Sequence, residues 1–317
     1  MTEHARLTVL DSVLIDLTLR VGALPARGAD VVSAPAHLAT GGGFNVLVAA
    51  RRQGLASRYG GHLGTGPFAA RARADLVAAG IELGPSAPGD RDLGVCVVVV
   101  EPDGERTFLT AAGAELDLSR AALDSLDFGE DEYLYLSGYN LAHPSLAATI
   151  GPWLATVPEH VRVALDPGAR IGDADPALLD RVLARVDWLL ASDDEVCALA
   201  GTSSLADAIA AVRPRVRAGV VVHEGATGCR IAEGGRPRRI PGVATQVVDS
   251  NGAGDTHNGV FLASLAGGAD PASAAWRANV AAAWSIAQVG GASAPSATQL
   301  ADRLREVGAA PRSEPAG

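Results

Sequence analysis

The feature of this sequence that most limits its fold is a repeated alternation of short apolar runs with helix-like segments. Each of four runs is followed by a helical pattern: Leu7 to Leu10, Val161 to Leu165, Trp188 to Ala191 and Gly219 to His223. Short apolar runs that alternate with helices are typical of parallel strands buried on both faces. The sequence therefore predicts an α/β fold built on a mostly parallel sheet.

Two regions interrupt this alternation and predict a second, smaller β-sheet. Residues 14–38 hold Pro25 and Gly28 between strand-like runs, and residues 94–110 hold two apolar runs around a Pro-Asp-Gly hairpin turn. The core then comprises the remaining parts of the chain, residues 1–13, 39–93 and 111–307. Residues 308–317 are rich in Ala, Pro, Gly and charge, and we expect a disordered tail there.

A glycine-rich segment near the C-terminal end predicts an anion site. Gly252-Ala253-Gly254-Asp255 lies between a strand-like run, Thr245 to Val248, and an apolar helical segment, Gly259 to Ala266. Unpaired N–H groups at a helix N-terminus favour an anion, and small side chains let it approach the backbone. Asp255 should stay ionised near neutral pH, as an unperturbed Asp titrates near ~3.9, and could accept a proton. The alternative is an ordinary turn capped by Asp255.

A second glycine-rich segment lies far upstream. Residues Thr40 to Asn45 read as a loop that enters a helix ending at Gly54. Asn45 offers donors and an acceptor suited to sugar hydroxyls, or it caps the helix.

These two segments resemble, in this order, the two signatures of the PfkB, or ribokinase-like, carbohydrate kinases. Shorter motifs between them are also similar to the family's, and the resemblance covers roughly residues 7–296. The shorter motifs are the Tyr59 to Phe68 segment, the Gly94 to Thr110 hairpin, Ser192 to Glu195 and His223 to Gly228. Several ordered motifs are more specific than any one of them.

The resemblance implies a three-layer α/β/α core with a small β lid over the sugar. It also implies ATP and Mg²⁺ as cofactors, with K⁺ as a further candidate. Lids of such proteins often pair between subunits, and an exposed sheet edge supplies a physical motive, so we expect a homodimer through the lid.

The resemblance also assigns roles at the acceptor end of the site. Asp255 would be the general base, and the amides of Gly252, Ala253 and Gly254 would hold the transferring phosphoryl group. The sugar would be held by a carboxylate, two glycines and an amide: Asp16, Gly41, Gly42 and Asn45. The alternative role for Asp16 is that of an exposed charged residue on a strand. Arg170 follows a strand end, where it either contacts an acidic substrate or forms a surface ion pair.

Nucleotide-binding residues follow from the same resemblance: Ser192, His223, Gly225, Gly228 and Asn279. His223 stands at a position usually held by Thr and either touches phosphate or fills space. Asn279 lies near adenine or is a satisfied core amide. Glu195 would organise Mg²⁺ through water, although Ser192 to Glu195 also reads as a capping box. Asp249 is a candidate for a monovalent cation.

Several positions depart from the family pattern. Thr40 and Asp11 each stand where a glycine is usual, Ser250 replaces Thr and His257 replaces an aromatic residue. Gly42 stands where ribose-specific relatives usually have Lys. The substrate therefore cannot be carried over from any one relative.

Composition excludes other classes. A net charge of −10 argues against a nucleic-acid-binding surface, and hydrophobic residues make up 48%, enough for a sizeable core. Cys96, Cys197 and Cys229 lack the spacing of a disulfide framework or zinc site. No apolar stretch suggests a membrane span or signal peptide, so we expect a cytoplasmic protein with a small-molecule substrate.

The sequence thus predicts an ATP-dependent kinase that phosphorylates a hydroxyl of a small sugar. A dinucleotide oxidoreductase is rejected because the first strand lacks a following Gly-x-Gly-x-x-Gly, and a P-loop kinase because its motif and its lysine are absent. The alternatives left open are a nucleoside or sugar-phosphate kinase of the same family and a non-catalytic sugar or nucleoside sensor.

Overall fold

The fold is described from a computed structural model, which covers residues 5–85 and 89–308. The strands, in chain order, are β1 (Arg6–Leu10), β2 (Val13–Arg20), β3 (His37–Gly42), β4 (Ala56–Tyr59), β5 (Glu82–Leu83), β6 (Val95–Val100), β7 (Arg106–Ala111), β8 (Glu132–Ser137), β9 (Arg162–Asp166), β10 (Trp188–Ser192), β11 (Gly219–His223), β12 (Gly228–Ala232) and β13 (Arg238–Pro241). The helices are α1 (Gly43–Arg52), α2 (Pro67–Ala78), α3 (Arg120–Asp124), α4 (Gly138–Ala142), α5 (Pro144–Leu154), α6 (Pro176–Leu183), α7 (Asp193–Ala200), α8 (Leu205–Val212), α9 (Ala253–Ala266), α10 (Pro271–Ser285) and α11 (Ala297–Val307).

The main sheet has nine strands in the order β13-β12-β11-β10-β9-β8-β1-β4-β5. The seven strands β11-β10-β9-β8-β1-β4-β5 pair in parallel with their neighbours. Strands β12 and β13 add an antiparallel edge. The four apolar runs of the sequence are β1, β9, β10 and β11, each to within a residue. The mostly parallel sheet is therefore confirmed.

Two apolar cores lie on opposite faces of this sheet, as the period-two alternation of strand side chains requires. In β8, Tyr133 and Tyr135 face the core formed with α1, α9 and α10, whereas Leu134 and Leu136 face the core formed with α5, α6 and α8. This arrangement is the predicted three-layer core, and it leaves the carboxyl ends of the parallel strands to form the site.

The second sheet has four strands in the order β3-β2-β6-β7. Its pairing places Asp16 opposite Ala39 and Thr18 opposite His37. Because side chains alternate between the faces of a strand, Asp16, Thr18 and Arg20 share one face of β2. We call this sheet the lid sheet, and that side its inner face.

Two local predictions were wrong. Residues 245–248 form no strand; instead the Val248 N–H bonds to the Ile286 carbonyl at 2.7 Å. The segment from Thr40 is not a loop, since Thr40 to Gly42 end strand β3 and α1 begins directly at Gly43. The predicted disordered tail lies, apart from Gly308, outside the described residues.

No single helix in the described ranges is long and apolar enough to cross a membrane, although the bent pair α7 and α8 together meets the length and composition of a span.

Candidate active site

The two signature segments meet in space. The Asn45 side-chain amide donates a hydrogen bond to the Asp255 carboxylate at 2.9 Å, across 210 residues of sequence. Helices α1 and α9 come this close because Gly259 has no side chain. A Cβ there would lie 2.6 Å from the Ala49 Cβ and 2.7 Å from the Val46 carbonyl oxygen. Asn45 thus contacts the candidate base, and its binding of sugar hydroxyls stays a prediction.

We call residues Gly252 to Gly254, beside Asp255, the anion cradle. Most backbone N–H groups of this segment lack a hydrogen-bond acceptor among the described residues. Gly252 is the N-cap of α9 and has a left-handed backbone with φ of 71°. Within the described ranges, the N–H groups of Gly252, Gly254 and Asp255 have no hydrogen-bond acceptor, whereas the Ala253 N–H bonds to the Ser250 carbonyl at 3.4 Å. Unpaired N–H groups at a helix N-terminus attract an anion. Ala253 therefore contributes its small side chain more than its amide.

Asp255 itself lies in a low-dielectric environment. Burial raises the pKa of its carboxyl to about 6, the hydrogen bond from Asn45 opposes that shift, and the negative charge of Glu195 adds to it. The unperturbed value assumed from sequence was therefore too low. The carboxylate remains the main form at neutral pH, and a base with such a pKa is well matched to proton transfer.

A cavity of about 530 Å³ opens in front of the cradle, between the lid sheet and the carboxyl ends of the main sheet. Its lining comprises residues of both: Gly104, Glu105, Arg106, Phe108, Tyr139, Asp166, Gly168, Ser192, Glu195, His223 and Ser250 to Asp255.

Asp166, at the end of β9, is a cavity residue that the sequence reasoning missed. Its carboxylate accepts hydrogen bonds from the Tyr135 hydroxyl at 3.1 Å, the Asn258 amide at 2.8 Å and the Gly168 N–H at 2.9 Å. Burial, followed by the negative charges of Glu195 and Asp255, raises its pKa well above the ordinary value. Its position at the carboxyl end of a parallel strand was the available signal.

Ser192 and Glu195 form the capping box of α7. The Ser192 hydroxyl accepts from the Glu195 N–H at 3.3 Å, and the Glu195 carboxylate accepts from the Ser192 N–H at 2.8 Å. Both residues also line the cavity. The described residues hold no cluster of three or more side chains able to bind a metal ion directly. Carboxylates that line the cavity nevertheless suit Mg²⁺, which usually keeps several waters and binds substrate phosphates.

Asp16 lines a second cavity, of about 370 Å³, which adjoins the first through Asn251. Burial raises the pKa of its carboxyl to about 6, the Asn251 side chain opposes the shift and the charge of Asp255 adds to it. Gly41 permits this placement, because a Cβ at Gly41 would overlap the Asp16 carboxylate. Gly42 has a φ of 63° and packs against the Ser12 carbonyl as the N-cap of α1.

Other candidates have structural partners. Arg170 forms an exposed ion pair with Asp173 at 2.9 Å and does not line the cavity. The buried Asn279 amide donates to the carbonyls of Ile240 and Pro241, as a satisfied core amide does. Gly228 packs against the backbone of β13, where a Cβ would overlap the Ile240 carbonyl.

Gly225 has a φ of 55° in a short turn, with open space around it, and Gly225 lies outside the cavity lining. Asp249 accepts hydrogen bonds from the N–H groups of Asn251, at 3.0 Å, and Gly290, at 3.1 Å. These bonds hold the loop before α9, and the monovalent-cation site at Asp249 stays a prediction.

His223 pairs with the buried His257, a contact that the sequence did not reveal. Its Nε2 lies 3.1 Å from the Nδ1 of His257, one turn into α9. Burial lowers the pKa of His223 to about 4 and that of His257 well below its ordinary value, so both rings are neutral at pH 7. The Nδ1 edge of His223 faces Gly254, 3.8 Å from where a Cβ would stand. His223 thus lies beside the anion cradle.

Arg106 links the lid sheet to the cradle loop. Its guanidinium donates a hydrogen bond to the Ser250 hydroxyl and lies 4.0 Å from the Asp249 carboxylate. The side chain projects from β7 into the lining of the larger cavity, which places a positive charge at the entrance of the cradle.

Comparisons with known proteins agree with this geometry. The family described as pfkB family carbohydrate kinase matches residues 4–298. An uncharacterized sugar kinase of Escherichia coli K12 is 33% identical over 95% of this chain and 94% of its own length. An ATP-dependent ribose-1-phosphate kinase of Halopiger xanaduensis is 30% identical over 92% of this chain and 95% of its own.

Solved structures show the same fold. Ribokinase from Thermotoga maritima superposes with a TM-score of 0.79 at 20% identity, over 95% of this chain and 99% of that one. Ribokinase from Giardia lamblia superposes with a TM-score of 0.82 at 18% identity, over 96% and 99%.

Proposed function

The chain belongs to the pfkB family of carbohydrate kinases, and we propose that it transfers the γ-phosphoryl group of ATP to a hydroxyl of a small sugar, with Asp255 as the general base. One observation carries the proposal: a partly buried carboxylate stands beside three backbone N–H groups that have no acceptor among the described residues. A base and an anion cradle at one point of a cavity are the two parts that phosphoryl transfer needs from a protein.

In this mechanism Asp255 accepts the proton of the attacking hydroxyl. The Asn45 amide fixes the orientation of the carboxylate through its 2.9 Å hydrogen bond. The N–H groups of Gly252 and Gly254 stabilise the negative charge that spreads over the transferring group, and they need no reorganisation because the helix already fixes them. Asp166 and Glu195 would hold Mg²⁺ through water. Bound there, Mg²⁺ would neutralise charge on the phosphates of ATP.

The acceptor sugar would lie in the smaller cavity, where Asp16 accepts hydrogen bonds from its hydroxyls. The Asp16 carboxylate is partly buried on the inner face of the lid sheet and stands close enough to Asp255 for their charges to interact. The two carboxylates have distinct tasks in this mechanism. Asp16 orients the sugar, and Asp255 accepts the proton of its hydroxyl.

The test is ADP release from ATP and Mg²⁺ across pentoses, hexoses, sugar acids, sugar phosphates and nucleosides. We expect turnover on one class, and we expect Asp255→Asn to lower kcat by at least about a thousandfold, because the amide keeps the size of the side chain but cannot accept the proton. Asp173→Asn, a change in an exposed ion pair with Arg170, is the matched control and should retain activity.

Retained turnover in Asp255→Asn would refute the assigned base. Ligand-induced thermal shifts without turnover on any compound would instead identify a sugar or nucleoside sensor.

A further inference from the structure

The smaller cavity is lined by acidic side chains at one end and by basic side chains at the other. Its inner end is acidic, with Asp16 and Asp249 beside the cradle. Its outer end is lined by Arg20, His37 and Arg71, and also by Asp75, which forms an ion pair with Arg71. They come from three different elements, β2, β3 and α2.

The register of the lid sheet explains this polarity. Asp16, Thr18 and Arg20 follow one another on the inner face of β2, and His37 on β3 is the direct partner of Thr18. Asp16 and Arg20 are four positions apart on the strand, about 13 Å between their backbones at about 3.3 Å per residue. The long Arg20 side chain shortens that gap. A ligand held at Asp16 that extends along β2 would therefore approach Arg20 and His37.

Two of these groups have no partner within the described chain. The side chains of Arg20 and His37 form no ion pair and no hydrogen bond with any described residue, whereas Arg71 bonds to Asp75 at 2.7 Å through its Nε. The remaining guanidinium N–H groups of Arg71 stay available to a ligand. In a protein with a net charge of −10, an arginine and a histidine that lack partners among the described residues and line one end of a cavity favour an anionic group there.

We propose that the outer end of this cavity is an anion subsite, in which Arg20 and His37 bind a phosphate or carboxylate group of the acceptor sugar. The inference rests on the proposed function, because it places the anionic group at the far end of the molecule whose hydroxyl Asp255 deprotonates. The substrate class is then an anionic sugar, either a sugar monophosphate or a sugar acid. Arginine suits both groups, since its planar guanidinium donates two parallel hydrogen bonds.

The test compares neutral sugars with matched anionic ones: ribose with ribose 1-phosphate and ribose 5-phosphate, fructose with fructose 6-phosphate, and glucose with gluconate. For each pair, the ratio of kcat/KM for the anionic over the neutral sugar is measured in the intact protein and in Arg20→Gln. We expect a ratio above one for one pair, and at least a tenfold fall of that ratio in Arg20→Gln, the loss typical of a charged hydrogen bond. Arg52→Gln, in the exposed last turn of α1 and outside the cavity, is the control and should leave the ratio unchanged.

Equilibrium binding of the same sugars without ATP separates this inference from the proposed function. Anionic sugars that bind more tightly than neutral ones, with the preference lost in Arg20→Gln, would support the subsite even if no compound were phosphorylated. Turnover of neutral sugars with a ratio insensitive to Arg20→Gln would overturn the subsite and leave the kinase standing. Absence of any preference for anionic sugars in both assays would also overturn it. The pair that responds tells a phosphate ester from a carboxylate.

Discussion

Gly252 and Gly254 lie two residues apart but are glycines for different reasons. Gly252 has a left-handed backbone, and a Cβ there would overlap the Gly291 carbonyl. Gly254 is helical, and a Cβ there would meet only the His223 ring, at an ordinary 3.8 Å. The fold therefore requires glycine at the first position but not at the second, where the empty space belongs to the cavity.

This difference predicts opposite effects of two alanine substitutions. Gly254→Ala should leave the free energy of unfolding unchanged or raise it by up to about 1 kcal/mol, since alanine favours a helix. It should nonetheless lower kcat/KM by at least about tenfold, because the methyl group occupies the approach of the phosphoryl group. Gly252→Ala should lower the free energy of unfolding by about 1–3 kcal/mol. It should also lose activity.

Urea denaturation together with steady-state kinetics checks both variants. A fully active Gly254→Ala would contradict the cradle.

The raised pKa of Asp255 predicts a pH dependence of turnover. A base must be ionised, so kcat/KM should fall as the pH drops through about 6, the pKa of this carboxyl, and should approach a tenfold loss per pH unit below it. The hydrogen bond from Asn45 lowers this pKa, so Asn45→Ala should move the acidic limb of the profile to higher pH. An acidic limb that stays in place in Asn45→Ala would argue that another group controls it.

At the scale of elements, the contact between α1 and α9 sets the position of the base. Gly259 lets the two helices touch, and the hydrogen bond between Asn45 and Asp255 follows from that approach. Gly259→Ala should push the helices apart and cost about 1–3 kcal/mol of unfolding free energy, as overpacking does. Because Asn45 then moves away from Asp255, kcat should fall too. Thermal unfolding and kinetics measure these effects, with Gly172→Ala as control, since a Cβ at Gly172 meets nothing within 4 Å.

The sequence was sufficient for the elements whose pattern follows directly from burial. The strands β1, β9, β10 and β11 are apolar because helices cover both faces of the sheet, so their composition revealed them. The strand predicted at residues 245–248 failed for the converse reason. Val247 and Val248 are 60% and 51% exposed, and no strand among the described residues pairs with them. An apolar run does not reveal whether it has a partner.

Within the site, the sequence predicted local motifs but not the contacts between residues that are far apart in the chain. The capping box of Ser192 and Glu195 depends on a spacing of three residues, which the sequence shows directly. The bond between His223 and His257, the carboxylate of Asp166 and the cationic end of the smaller cavity all depend on neighbours far away in sequence. Only the folded sheet brings them together.

For the whole molecule, the outer face of the lid sheet is notable because it exposes apolar side chains. Leu109 pairs with Val97, and Val97 pairs with Leu17, so these apolar side chains share the face opposite Asp16 and Arg106. Leu109 is 58% exposed, and Leu38 on β3 is 46% exposed. An apolar sheet face with an open edge is a natural surface for pairing with a second copy of the chain.

We therefore predict a homodimer that forms through this face. Light scattering coupled to size exclusion should give twice the mass of one chain, and Leu109→Lys should shift the protein toward the monomer. Val77→Lys, an equally exposed valine on α2, is the matched control and should leave the mass unchanged. A monomer at all concentrations, or a Leu109→Lys variant that dimerises normally, would refute this interface.

The bond between Asn45 and Asp255 also has a consequence for how the chain is made. Its two residues are 210 positions apart, so at 5–20 residues per second the ribosome needs roughly 10–40 s to add the second after the first. Throughout that interval α1 has been synthesised without α9, the helix that covers its apolar side. The nascent protein therefore exposes the apolar side of α1 for many seconds. Its yield in cells should depend on the chaperones that bind exposed apolar surfaces during translation.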